Sequence, residues 1–64
     1  MNLINRKALV LEEFEGNKDY IGNIGTIIKH DNKFALLKFV CDDNFIFDKT
    51  WWFPLNKIKI MINQ

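Results

Sequence analysis

Apolar residues of this chain come in short runs of four to eight residues, and Gly, Asn and Asp bound these runs. Within the runs apolar and polar residues alternate, which is typical of β-strands, and no segment shows the sustained 3.6-residue period of a helix. Five strands are predicted, at residues 7–14, 24–30, 33–40, 50–53 and 58–62. A chain of 64 residues is one domain at most. Five short strands bury both faces of a sheet by curling, so the sequence predicts a small all-β barrel.

Local residue types predict how these strands connect and which side chains share a face. Asp31 and Asn32 are predicted to form a two-residue hairpin turn, because both residue types tolerate positive φ angles. Pro54 cannot donate to a ladder, so it is expected to close the fourth strand or begin a 3₁₀ turn. Residues 1–6 are expected to form an arm that is either flexible or packed on the domain. Alternation along the third strand predicts one face of Ala35, Leu37 and Phe39 and another of Phe34, Leu36 and Lys38.

Two segments resemble a known superfamily. The pattern Gly22-x-x-Gly25-Thr26-Ile27-Ile28, followed by a hairpin and Leu37-Lys38-Phe39, resembles KOW-like SH3-like barrels. The segment Trp52-Phe53-Pro54-Leu55-Asn56-Lys57-Ile58 is similar to the closing turn and last strand of the photosystem reaction-centre subunit IV barrel and of Mind-bomb repeats. The resemblance covers residues 22–60 and implies one five-stranded SH3-like barrel domain over residues 1–64. It implies no single function, because such barrels occur in ribosomal, photosynthetic, chromatin and phage proteins.

The net charge of the chain helps to distinguish a protein partner from a nucleic-acid partner. The formal net charge is only +1, whereas a nucleic-acid-binding domain usually carries a strongly basic patch. The sequence therefore favours a non-catalytic protein-binding adaptor or inhibitor, in a small bacterial or phage protein, whose acidic loops steer the partner. The alternative is a nucleic-acid-binding, KOW-like module. In that case bases would stack on Tyr20, Trp52 or Phe34, and phosphates would bind Lys29, Lys33 and Lys38.

The adjacent tryptophans are the strongest candidate contact residues. Neighbouring side chains in a strand point to opposite faces, and alternation back from Phe53 predicts Trp51 inward and Trp52 outward. An exposed tryptophan is a common interface anchor. The alternatives left open are that the loop of residues 15–23 packs over Trp52, that this loop or the arm covers Phe34 and Leu36 on the third strand, and that an exposed aromatic face mediates oligomerisation. The predicted partner-binding residues are Trp52, Phe34, Leu36, Tyr20, Phe45, Asp42 and Asp43.

The sequence predicts no enzyme, cofactor or metal site. His30 and Asp31 are neighbours at a strand end, where side chains rarely share a pocket, and no nucleophile or oxyanion hole accompanies them. The acidic segment 42–44 lacks the spacing and glycine of a calcium-binding loop. The single cysteine, Cys41, forms no internal disulfide. No segment resembles a signal peptide or a membrane-spanning run of about 20 apolar residues, so we expect a cytoplasmic protein without a membrane partner.

Overall fold

The computed structural model describes residues 2–39 and 50–61. These ranges contain five strands, paired antiparallel in one sheet of order β4-β3-β2-β1-β5. The strands are β1 (Lys7–Val10), β2 (Ile24–His30), β3 (Phe34–Lys38), β4 (Thr50–Pro54) and β5 (Ile58–Ile60). The predicted five-stranded all-β fold is confirmed, while its closure into an SH3-like barrel stays a prediction. In the described part of the chain no helix has the length and apolarity needed to cross a membrane.

Two 3₁₀ turns accompany the strands, at Lys18–Tyr20 in the first loop and at Leu55–Lys57 before β5. Pro54 is the last residue of β4 and directly precedes the second turn, as predicted. Because β4 lies at the edge of the sheet, the missing N–H of the proline is tolerated there.

The first predicted strand is too long. Strand β1 ends at Val10, because the backbone N–H groups of Leu11 and Glu12 both donate to the carbonyl oxygen of Lys57, at 2.9 and 3.3 Å. The first loop, residues 11–23, begins at this point. Strand β2 has the predicted bounds, and the part of the last predicted strand beyond Met61 lies outside the described residues.

The hairpin between β2 and β3 is confirmed, but its predicted turn residues are wrong by one position. The N–H of Asp31 donates to the carbonyl oxygen of Phe34 at 2.9 Å, which leaves Asn32 and Lys33 as the turn. Neither turn residue has a positive φ. Instead, Asp31 Oδ1 accepts the N–H groups of Lys33 and Phe34, each at 2.8 Å, so its side chain closes the turn.

The core lies on the inner face of the sheet, to which every second residue of a strand points. Its described members are Ala8, Val10, Tyr20, Ile27, Ala35, Leu37, Phe39, Phe53 and Ile58. The predicted inner face of β3 is therefore confirmed. Gly25 also faces inward, and a Cβ atom there would lie 3.0 Å from Leu37 Cβ. Gly25 thus permits close packing, whereas Gly22 has a φ of +84°, in the left-handed region that glycine adopts without strain.

The predicted role of Tyr20 as a partner contact is wrong, because its side chain is fully buried. The first 3₁₀ turn carries the ring over the core, where it stacks on Phe39 at a centroid distance of 4.4 Å and meets the Phe53 ring edge-on at 5.9 Å. Its carbonyl oxygen accepts the N–H of Asn23 at 3.0 Å, which holds the end of the first loop close to the turn. The ring therefore supplies core volume instead of a stacking surface.

The N-terminal arm, residues 2–6, is packed on the domain. The N–H of Leu3 donates to His30 Nε2 at 3.1 Å, and the N–H of Asn5 donates to the carbonyl oxygen of Ile27 at 2.7 Å. Leu3 is half-buried against the core. The arm is thus held against β2 and adds Leu3 to the packing of the core.

Candidate binding face of the sheet

The side of the sheet opposite the core, here called the outer face, contains most of the predicted contact residues that the structure describes. Directly opposite residues of antiparallel strands project to the same face, so the observed register defines its membership. The outer face comprises Lys7, Leu9, Ile24, Thr26, Lys29, Phe34, Leu36, Lys38, Thr50, Trp52, Pro54 and Lys59.

Trp52 and Leu36 form the apolar centre of this face near the β4 edge. They lie directly opposite each other in the β3–β4 pair, which places their Cβ atoms about 5 Å apart. The Trp52 side chain is 43% exposed, and Leu36 is half-buried. Trp51 turns the other way and packs against the core, so the predicted orientations of the two tryptophans are confirmed.

Phe34 lies on the same face two residues before Leu36, but the first loop covers part of it. The Phe14 ring of that loop lies 5.8 Å from the Phe34 ring, at an interplanar angle of 54°. Phe34 is consequently half-buried. The sequence expects cover from the loop of residues 15–23, whereas the observed partial cover of Phe34 comes from Phe14, which was predicted to end the first strand. Trp52 stays accessible.

A shallow groove of about 270 Å³ runs beside Trp52, and its walls are formed by Glu15, Leu36, Thr50, Trp51 and Trp52. Glu15 has a φ of 57°, in the left-handed region that non-glycine residues seldom adopt. Sequence reasoning missed this residue as a site member, because its acidic loop position gave no sign of the conformation. The groove therefore combines apolar residues with one acidic residue.

The charged residues on the strands of the outer face are lysines, and two of them adjoin the apolar centre. In the five described strands every Asp, Glu, Lys or Arg residue is a lysine, and all four of these lysines project from the outer face. They are Lys7, Lys29, Lys38 and Lys59. Lys29 lies directly opposite Leu36, and Lys38 lies opposite Thr50. The face thus has one sign of charge along its strands.

Sequence reasoning identified only part of this set. Lys29 and Lys38 were predicted contacts of a nucleic acid, whereas Lys7 and Lys59 were missed because their position depends on the pairing of β1 with β5. Lys33, the third predicted phosphate contact, is exposed in the hairpin turn and not on a strand.

Carboxylates of the described residues lie in loops. They are Glu12, Glu13, Glu15 and Asp19 of the first loop and Asp31 of the hairpin turn. Glu12 pairs with Lys57 at 3.5 Å across an exposed surface, where such a pair contributes little stability. Asp42, Asp43 and Phe45 lie outside the described residues, so their role in partner binding stays a prediction.

His30 and Asp31 each serve the local structure. His30 Nε2 accepts the N–H of Leu3, and Asp31 Oδ1 accepts two turn N–H groups. The N–H groups of Lys33 and Phe34 hold the pKa of Asp31 below its ordinary value, burial acts in the opposite direction, and the nearby charge of Lys33 adds to the lowering. Their observed partners are backbone groups of the arm and the turn.

Comparison of the chain with protein-family models, with curated proteins and with solved structures gave no match. The similarity to KOW-like barrels therefore remains a prediction from the sequence, and the outer face itself carries the functional inference.

Proposed function

We propose that the protein is a non-catalytic protein-binding module, an adaptor or an inhibitor, that docks its partner on the outer face. The observation that supports this proposal is the exposed Trp52 side chain, which lies opposite Leu36 and beside a groove. Large exposed aromatic side chains next to a concave apolar surface are the usual anchors of protein interfaces. A reducing compartment such as the cytoplasm of a bacterium suits a chain whose single cysteine forms no internal disulfide.

Nucleic-acid binding is the second candidate, and the four outer-face lysines favour it. Glu15 argues against it, because this acidic residue lines the same groove as Trp52. A base stacked on the Trp52 indole would bring its phosphate close to the negative charge of Glu15. Nucleic-acid binding depends on electrostatic attraction of phosphates, so this repulsion opposes it. A protein segment can place an apolar side chain in the groove beside Glu15 and its charged side chains at the lysines, so it fits both features.

The test is affinity capture with the tagged protein from a lysate of its source organism, with and without nuclease. The informative variant is Trp52→Ala, and the matched control is Ile21→Ala, which truncates an exposed apolar residue of the first loop. We expect a protein partner in stoichiometric amount that survives nuclease. Recovery should fall at least tenfold with Trp52→Ala, because buried tryptophan anchors contribute about 2 kcal/mol or more.

Two outcomes would contradict the proposal. Partners that disappear on nuclease treatment would point to nucleic acid as the ligand. Equal capture by Trp52→Ala and the native chain would remove the outer face from the interaction, provided that Ile21→Ala also captures normally.

A further inference from the structure

We infer that the occupant of the outer face is an acidic polypeptide segment that carries apolar side chains a few residues from its carboxylates. This inference rests on the proposed function and names the chemistry of the partner. Its basis is charge complementarity between the segment and the strand lysines.

The charge of the outer face has one sign along the strands. Lys29 and Lys38 are diagonal neighbours on adjacent strands, and so are Lys7 and Lys59. Such neighbours lie about 7–8 Å apart, which is comparable to the screening length of about 8 Å at physiological salt. Their fields add and attract an anionic partner. Lys7 is already engaged, since its Nζ donates to Thr26 Oγ1 at 2.9 Å. Lys29 and Lys38, which flank the apolar centre, are exposed and are the expected contacts for carboxylates.

The register of the strands also determines how many residues separate the apolar side chain from the carboxylate in the bound segment. Trp52, Leu36 and Lys29 form one row across β4, β3 and β2. Two strand spacings separate the ends of that row, or roughly 10 Å. An extended chain covers this distance in about three residues. A segment that places an apolar side chain at the Trp52 groove therefore brings a carboxylate two to four positions away to Lys29.

The test is an NMR titration of the isotope-labelled protein with a synthetic twelve-residue peptide of three Phe-Glu-Ser-Glu repeats. A matched peptide carries glutamine in place of each glutamate, and a twelve-nucleotide oligothymidylate serves as the nucleic-acid probe. We expect the glutamate peptide to shift the Trp52 indole signal and the outer-face amides. Its affinity should exceed that of the glutamine peptide at least tenfold and should fall as salt rises.

Double charge-reversal variants show which lysines bind the glutamate peptide. The double variant Lys29→Glu, Lys38→Glu should lose at least tenfold in affinity for the glutamate peptide. The double variant Lys18→Glu, Lys33→Glu has the same net charge but alters the first loop and the hairpin turn. This control should stay within threefold of the native chain. Equal losses in the two double variants would overturn the inference, because they would report net charge instead of the outer face.

The remaining outcomes separate this inference from the proposed function. Equal binding of both peptides at the outer face would overturn the acidic specificity and leave protein docking intact. Failure of both peptides to shift outer-face signals would overturn the inference, while affinity capture with Trp52→Ala would still decide the proposed function. Tighter binding of the oligothymidylate at this face would overturn both in favour of nucleic acid.

Discussion

Trp51 Nε1 donates a hydrogen bond to the carbonyl oxygen of Phe14 at 3.3 Å, across 37 positions of sequence. Trp51 belongs to β4, and Phe14 belongs to the first loop, so this bond ties the loop to the edge of the sheet. The Phe14 ring also packs against Phe34 of β3. The loop is thus attached to two strands at the place where Glu15 enters the groove beside Trp52. The shape of the groove therefore depends on the contacts of Trp51 and Phe14.

Replacing Trp51 with phenylalanine should loosen this attachment, because it removes the donor and keeps an aromatic ring. We expect the free energy of unfolding to fall by about 0.5–1.5 kcal/mol, the usual net value of one hydrogen bond. Amide hydrogen exchange in the first loop should accelerate more than exchange in β2 and β3. Trp52→Phe is the control, since that side chain faces outward. Unchanged exchange in the loop would show that the bond does not hold it.

A second prediction concerns the contribution of Tyr20 to the stability of the domain. Truncation of a buried aromatic residue costs about 3–5 kcal/mol, and a domain of this size has a net stability of only about 3–5 kcal/mol. Tyr20→Ala should therefore be largely unfolded at room temperature by circular dichroism. Its neighbour Ile21 is exposed, so Ile21→Ala should unfold at nearly the native denaturant midpoint. A cooperative transition of native midpoint in Tyr20→Ala would place the ring outside the core.

Features set by local alternation could be predicted from the sequence. Strand β2 has its predicted bounds, and the inner face of β3 and the opposite orientations of Trp51 and Trp52 are confirmed. Each of these follows from the two-residue period of a strand, which depends only on near neighbours. The alternating sequence pattern therefore predicted the face of each side chain more accurately than it predicted where the strands end.

Features set by distant contacts could not be predicted in the same way. Tyr20 is an isolated aromatic residue in a polar loop, and nothing in its neighbourhood indicates that a 3₁₀ turn carries it into the core. Lys7 and Lys59 join the candidate site only through the pairing of β1 with β5, which are separated by most of the chain. Non-local pairing of this kind is specified by packing of the whole domain and not by local pattern.

A third prediction concerns the close packing at Gly25. A Cβ atom at this position would lie 3.0 Å from both Leu37 Cβ and Phe39 Cε1. Overpacking of this kind typically costs about 1–3 kcal/mol, so Gly25→Ala should lower the midpoint of urea unfolding markedly. Ile24→Ala, at the exposed neighbouring position, is the control and should change it little. A Gly25→Ala protein as stable as the native chain would mean that β2 and β3 separate freely at this point.

Asp31 gives the last prediction, on pH. Two backbone N–H groups hold the pKa of its carboxyl below the ordinary value of 3.8 in the folded protein. A folded-state pKa that is lower than the unfolded one adds stability above the unfolded value, and this stability is lost as the pH falls through the folded pKa. The native chain should therefore lose stability below about pH 3.8, relative to Asp31→Asn. The asparagine keeps an Oδ1 acceptor for the turn but does not titrate.

Urea unfolding of both proteins between pH 2 and pH 7 measures this difference directly. The stability of the native chain relative to Asp31→Asn should be constant at neutral pH and should decline only in the acidic range. Asp31→Ala, which removes the acceptor altogether, should be less stable than Asp31→Asn at every pH, because the N–H groups of Lys33 and Phe34 lose this partner. A native-minus-asparagine difference that does not vary with pH would mean that the turn stabilises the neutral and charged carboxyl groups equally.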